Sequence, residues 1–392
     1  MKILVNASNL VVGGGVQKAV QFVRALATWG QDHQWHAVIS PQVEAGLGTI
    51  PETPHAVIET ASVSPARLLA GRVTTGRIAR IEREFAPDVV FSVCGPVYQR
   101  FRATHAMGFA VGWLTHPSSL AWQALPSRYR SFLFRMRLAW YAAWVRQADG
   151  WILETHTAAH GMTQRLDAAP SQLHVVPNCC SDFYFDAARE GASPHPALAA
   201  RPQGEHRLLV FTSYKPHKNL EIIPAVAAEL RRLDPATPVR FVFTLPDRWP
   251  WHRLQARAGH LGVADLLVNV GPVPAYAGPE LYAGCSALFM PTVLETFSAA
   301  YPEAMCMQRP IITSDLDFAR DICGDAAAYF DPTAPRVAAD AVLRVLGDPA
   351  RAAELVARGR ERLPSFGTGQ ERFQATLSAI LTIARDREKG TR

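Results

Sequence analysis

Between Ala287 and Asp315 the sequence passes from one apolar run to another across a loop and a short helical stretch, and this passage constrains the fold more than any other feature. Ala287, Leu288, Phe289 and Met290 show no polar alternation, the pattern of a strand buried on both faces. Ala299 to Met307 is rich in good helix formers, and Pro310 to Thr313 is a second apolar run. Glu295 falls in the strand-to-helix loop. Glu303, eight positions on, falls near the first helical turn, where the macrodipole favours a carboxylate. The N–H groups of Phe297, Ser298 and Ala299 point out of the helix start, a geometry that receives a phosphate. Two acceptors for sugar hydroxyls beside an anion cradle point to a sugar-nucleotide site. Two glutamates on a solvated helix face are the plainer reading of the pair alone.

The same strand–helix alternation recurs along the chain. Strands are expected at Lys2–Asn6, Ala37–Ser40, Asp88–Val93, Phe109–Thr115, Gly150–Leu153 and Leu173–Val176, with helical stretches between most of them. A second series begins at Leu208 and continues through Val239–Phe243, Leu266–Val270, Ala287–Met290 and Pro310–Thr313. Such alternation predicts an α/β fold with parallel sheets covered on both faces, and ligands bound beyond the carboxyl ends of the strands. A chain of 392 residues is long for one domain, so two are expected. The prolines and glycines between Ala187 and His206 mark the break, giving residues 1–190, a linker at 191–206 and residues 207–369.

At the first strand end, Gly13-Gly14-Gly15 precedes a helix expected from Val16 to Thr28. The turn is either a plain tight turn or a close approach of backbone to a phosphate or sugar. It is not a dinucleotide fingerprint, because Lys18 occupies the place of the third glycine. His116 follows the expected strand Phe109–Thr115. It is read either as a donor to a sugar hydroxyl or phosphate, or as a histidine bonded to backbone.

The stretch around Glu295 and Glu303, continuing as Glu-Ala-Met and Pro310-Ile-Ile-Thr-Ser-Asp315, resembles the E-x7-E signature of retaining GT-B glycosyltransferases, in particular family 4. The resemblance extends through the glycine loop, through Asn178 in a Val-Pro-Asn turn, and through Lys218-Asn219-Leu220 in the second half. It implies two Rossmann-like domains facing across a cleft, with a final helix at about 370–392 returning to the first, acceptor-side domain. It implies a nucleotide sugar as substrate, with a GDP- or UDP-type nucleotide in the site, and no cofactor or metal. Gly14, Gly15, Ser213, Lys215, Lys218, Glu295, Phe297, Ser298, Ala299 and Glu303 are the donor-binding candidates, and His116, Lys218 and Glu295 the catalytic ones. Lys218 would stabilise the leaving phosphate, Glu295 orient sugar hydroxyls and Glu303 hold the ribose. Ser213 stands where the family has an arginine, and Lys215 is the nearby replacement. The implied reaction is retaining, metal-independent transfer of a mannose- or rhamnose-type hexose to a glycan or lipid-linked acceptor in surface polysaccharide synthesis. An epimerase or phosphorylase on the same scaffold, or a non-catalytic binder, are the alternatives.

Composition narrows the partners. With 48% hydrophobic and 19% charged residues the chain buries substantial cores. A net charge of +6 suits an anionic nucleotide or membrane surface, and no nucleic-acid motif supports a third option. Six cysteines without a C-x-x-C spacing suggest a reduced, cytoplasmic chain. No apolar run is long enough to span a bilayer. The stretch Arg128–Gln147 mixes arginines with Phe132, Met136, Trp140 and Trp144. It is expected to pack its aromatic side on the sheet, with contact to the inner face of the membrane as the alternative. Arg67–Arg83 adds a second basic cluster. His156 and His160 have metal-like spacing without the glutamate that zinc chemistry would need, and Asp317 of Asp315-Leu316-Asp317 is expected to cap a helix.

Overall fold

The computed structural model describes residues 1–125 and 128–390. The chain divides into two compact units. The first comprises Met1–His116, Phe132–Pro177 and the C-terminal stretch from Gly369; the second comprises Pro117–Ser131 and Asn178–Thr368.

The first unit is built on seven parallel strands: β1 (Lys2–Ala7), β2 (Gln34–Ile39), β3 (Ala56–Thr60), β4 (Val89–Ser92), β5 (Thr104–Gly108), β6 (Gly150–Leu153) and β7 (Leu173–Val175). Their order is β3-β2-β1-β4-β5-β6-β7. β1 shows why the apolar runs lack alternation. Ile3, Val5 and Ala7 enter one core with Phe22, Trp35 and Phe91, while Leu4 enters the opposite core with Ile78, Ile81 and Val90. Both faces are covered, so both sets of alternating residues are apolar. The C-terminal helix Gly369–Gly390 lays Phe373, Leu377, Ile380 and Ile383 into the first of these cores. Phe373 meets Phe22 at 5.4 Å and Trp35 at 6.1 Å between ring centroids. Residues 391 and 392, included in the expected span of this helix, lie outside the described residues.

The second unit holds six strands: β8 (His206–Val210), β9 (Val239–Phe243), β10 (Leu267–Asn269), β11 (Ala287–Met290), β12 (Ile311–Ser314) and β13 (Ala327–Phe330). The order is β10-β9-β8-β11-β12-β13, with the paired strands parallel. Here Ala287 and Phe289 face one core, Leu288 and Met290 the other.

Three expectations are corrected. Phe109–Thr115 is not a strand. The strand lies earlier, at Thr104–Gly108, and Gly112–Thr115 is a single helical turn. The polar pair Thr104-His105 hid the strand, but His105 is buried and its ring bonds the Ser92 hydroxyl at 2.8 Å. Residues 191–206 do not form a loose linker. Leu198 is buried in the second unit's core, His195 N–H donates to Glu280 O at 3.1 Å, and the Arg207 guanidinium donates to Leu198 O and Glu205. Apart from the short excursion Pro117–Ser131, the change of unit falls instead at Pro177–Asn178 and Thr368–Gly369. Finally, the helix Arg128–Val145 does not turn its aromatic stripe inward. Leu138, Ala142 and Val145 are buried, whereas Phe132, Met136 and Trp140 are 59%, 57% and 42% exposed. Arg135 and Arg137 are exposed too, so basic and apolar groups share the outer side. The side chains of Arg128 and Arg130 lie outside the described residues.

Candidate active site

β8 and β11 are neighbours in the sheet, yet the chain leaves them in opposite directions across it, one toward β9 and one toward β12. Loops after such strands diverge and leave room at their carboxyl ends, where open α/β sheets bind ligands. The loop after β8 carries Ser213, Lys215 and Lys218, and the loop after β11 carries Glu295.

In the β8 loop, Pro216–Lys218 forms one turn of 3-10 helix, and Asn219 ends it in the left-handed region at φ 54°. Asparagine tolerates that conformation better than most residues, which explains the Lys-Asn pairing. The Asn219 amide donates to Pro332 O at 2.9 Å. His217 O accepts the Val293 N–H at 2.8 Å, tying this loop to the one that carries Glu295. Ser118, from the segment Pro117–Ser131 of the same unit, donates to Val293 O at 3.3 Å. The result is that Lys218 Nζ forms an ion pair with Glu295 Oε2, with Lys218 buried and Glu295 half-buried. His217 beside it is held neutral, its pKa lowered to about 3 by burial and by the charges of Lys218 and Lys215. Ser213 and Lys215 are exposed.

Phe297 is buried against Phe366, with ring centroids 5.8 Å apart, while Ser298 and Ala299 are half-buried. The helix is shorter than expected, Ala300–Cys306, with Glu303 in its first turn. Position alone would lower the Glu303 pKa, but burial pushes it up to about 7, against the opposing pull of hydroxyls from Tyr184 and Tyr282. Glu303 thus stands in the first turn, as expected, but burial rather than the helix dipole dominates its carboxyl. A helix of two turns supplies little field, and desolvation outweighs it. Tyr282 OH donates to Ala300 O at 2.9 Å and reaches Glu303 Oε2 at 3.4 Å. Tyr184 reaches this place because residue 278 is glycine, where a Cβ would stand 1.9 Å from the tyrosine hydroxyl.

Tyr184 and Tyr282 are the site residues that sequence reasoning missed. Tyr282 lies in the short helix Gly278–Ala283 and Tyr184 in the helix Asp182–Glu190, within the run Phe183-Tyr184-Phe185, and no spacing singles out either.

The remaining candidates lie in the first unit. Gly13 begins the helix Gly14–Trp29 with φ 70°, a conformation that favours glycine. A Cβ on Gly14 would meet nothing within 4 Å, and one on Gly15 would press on Leu10, so the turn leaves open space at Gly14. His116 ends the turn Gly112–Thr115 rather than a strand. It is half-buried, and its Nδ1 lies 2.7 Å from the Thr115 hydroxyl.

His156 and His160 are both exposed. Asp315 forms a two-pronged bond with Arg320 at 2.5 and 2.8 Å. Leu316, not Asp317, is the N-cap, and Asp317 sits in the first turn. Among the described residues no group of three or more His, Cys, Asp or Glu side chains is placed to hold a metal ion.

Residues 197–362 match the family Glycosyl transferases group 1. Over 253 residues, 61% of this chain, the sequence is 25% identical to a D-inositol 3-phosphate glycosyltransferase of Salinispora arenicola (strain CNS-205). The matched stretch spans only about half, 55%, of that curated relative's length. In structure the chain is similar to sucrose-phosphate synthase from Thermosynechococcus elongatus (TM-score 0.71, 16% identity, 96% of this chain and 98% of that one). It is also similar to the Anabaena HepE protein solved with UDP and glucose (TM-score 0.66, 13% identity, 97% and 100%). The match to Glycosyl transferases group 1 thus falls on residues 197–362, within a two-unit fold of the GT-B type.

Proposed function

We propose that this protein is a retaining, metal-independent glycosyltransferase that moves a hexose from a nucleotide sugar to a hydroxyl of a glycan or lipid-linked acceptor. The observation that supports this reading is the Lys218–Glu295 pair at the carboxyl ends of β8 and β11, with the half-buried Glu303 in the first turn of the helix that follows the β11 loop. A diphosphate entering there finds the Lys218 ammonium and the N–H groups of Phe297–Ala299. The sugar finds the Glu295 carboxylate, and the ribose finds Glu303. In the transfer, the bond from the anomeric carbon to the diphosphate oxygen breaks, and the nucleoside diphosphate leaves with the electron pair. Lys218 stabilises that growing negative charge. The acceptor oxygen bonds to the same face of the sugar and gives its proton to the departing phosphate. We assign His116 a hydrogen bond to a donor-sugar hydroxyl, and the glycine turn at Gly14 and Gly15 the close approach to donor.

UDP as the nucleotide is favoured by the ligand of the Anabaena relative; a mannose- or rhamnose-type sugar is the expectation carried by the E-x7-E resemblance. The test is a binding screen of UDP- and GDP-sugars, followed by NMR of the anomeric proton in the product with EDTA present. Product of inverted configuration, or activity that EDTA abolishes and Mn²⁺ restores, would overturn the reading. Ser213 and the exposed Lys215 favour one second reading, a protein that binds sugar nucleotide without turning it over. Tight donor binding with neither hydrolysis nor transfer would select it.

We also read the outer side of the helix Arg128–Val145 as a contact for an anionic membrane surface. No described helix is long and apolar enough to cross a membrane, so contact would be peripheral.

A further inference from the structure

In the first unit, β1, β4, β5 and β6 lie side by side and parallel, and the residues just beyond their carboxyl ends meet. Asn9 follows β1, Cys94 follows β4 and Glu154 follows β6, while Lys18 reaches in from the helix Gly14–Trp29. Lys18 Nζ pairs with Glu154 Oε2 at 2.8 Å, with side-chain exposures of 15% and 7%. The thiol of Cys94 lies within the field of both charges. Asn9 Nδ2 donates to two carbonyls, Cys94 O and Pro96 O, each at 2.9 Å. Two carbonyl acceptors fix which end of that amide is nitrogen, so its oxygen is the free end.

Two polar atoms here are buried without a hydrogen-bond partner among the described residues: Glu154 Oε1 and Asn9 Oδ1. Folded chains rarely leave such groups unmatched. Both are acceptors, and one belongs to a carboxylate, so an anion is excluded from them by charge. A cation is disfavoured by the Lys18 ammonium already bound to the same carboxylate, and no cluster of three metal-ligating side chains exists among the described residues. Neutral O–H donors remain. Asn9, Lys18 and Cys94 are half-buried while Glu154 is buried, so a ligand would enter from the side of the first three.

We propose that Asn9, Lys18 and Glu154 form a binding site for the hydroxyls of an uncharged polyol, with Glu154 and Asn9 accepting and Lys18 fixing the Glu154 carboxylate through their ion pair. The inference rests on the glycosyl-transfer reading for the ligand's role as acceptor, and it deepens that reading by naming a neutral, rather than phosphorylated, hydroxyl-bearing group at this position.

The test uses the full chain with myo-inositol and methyl α-D-glucoside as neutral probes and glucose 6-phosphate as the anionic one. Calorimetry or saturation-transfer NMR should give saturable binding of a neutral probe and weaker binding of the phosphate. Glu154→Gln should weaken the neutral probe by about 10- to 100-fold, the range for losing a hydrogen bond to a charged group. Should that variant fail to fold, wild-type protein still decides. Alkylation of Cys94, read by peptide mass spectrometry, should be slowed by the neutral probe. Absence of both binding and protection, tighter binding of the phosphate, or a folded Glu154→Gln that binds as wild type would each overturn the proposal. UDP-glucose binding is measured on the same samples. Normal nucleotide-sugar binding without polyol binding removes only this inference, whereas loss of both removes the parent reading.

Discussion

At the scale of single residues, Lys218 and Glu303 should fail in different ways. If Lys218 acts on charge that develops as the donor bond breaks, Lys218→Ala should lower single-turnover rate about a hundredfold, corresponding to about 3 kcal/mol, with a much smaller change in donor affinity. Glu303→Ala should mainly raise the donor dissociation constant, because ribose contacts persist from ground state to transition state. Normal turnover by Lys218→Ala at saturating donor would show that the phosphate lies elsewhere. Glu303 adds a pH signature. Its carboxyl is raised to about 7, so it is protonated below and ionised above that pH. If Glu303 holds the ribose as proposed, its ionised form can accept from both hydroxyls, so donor affinity should rise as pH increases through about 7. Glu303→Gln should flatten that step, and an unchanged profile would separate Glu303 from the nucleotide. Lys215 is tested through its neighbour. Ser213→Arg should do little in the wild-type background but partly rescue Lys215→Ala, if Lys215 supplies the charge that arginine supplies in the resembled family.

At the scale of elements, the helix Arg128–Val145 sets an exposed apolar stripe among arginines. Phe132, Leu133, Met136 and Trp140 lie on one side, and Arg135 and Arg137 are exposed beside them. Water does not favour such a stripe, and lipid headgroups with acyl chains beneath do. Burying one large apolar side chain contributes about 1.5–3 kcal/mol, and an arginine near an anionic surface about 1 kcal/mol. Wild-type protein should therefore sediment with anionic vesicles. Replacing Phe132, Met136 and Trp140 with serine should release it, and replacing Arg135 and Arg137 with glutamine should weaken it in a salt-dependent way. Wild type that stays in the supernatant would leave the stripe without a lipid partner.

At the scale of the whole molecule, the first unit depends on the last segment of the chain. Phe373, Leu377, Ile380 and Ile383 are buried with residues from the N-terminal strands. Four such side chains contribute about 6–12 kcal/mol, comparable with the net stability of an entire domain. A chain ending before Gly369 should leave the first unit open to limited proteolysis while the second resists it. Ile380→Ala, fully buried, should lower stability by about 2–5 kcal/mol in denaturant melts. Equal protease resistance of both units after truncation would contradict this dependence.

Local pattern alone was enough wherever burial is two-sided and continuous. Gly150–Leu153, Val239–Phe243 and Ala287–Met290 were legible as strands to the residue, because a strand covered on both faces is apolar nearly throughout, Arg240 being the one charged residue among the three. The loop positions of Lys218 and Glu295, and Glu303 in a first turn, followed from the same patterning. Other features depend on neighbours distant in sequence. Ala56–Thr60 and Ala327–Phe330 were missed because edge strands bury less, and Thr104–Gly108 because a histidine was satisfied by a serine on the next strand. The outward face of the arginine helix was decided by which side the sheet occupied, and a mixed face carries no period to announce it. Glu303's raised pKa came from burial by residues far from it along the chain, against the lowering pull of the Tyr184 and Tyr282 hydroxyls, and the open oxygens of Asn9 and Glu154 came together only when four strands aligned their ends. Hydrophobic period is written locally, whereas desolvation and hydrogen-bond satisfaction belong to whatever the folded chain packs against each group.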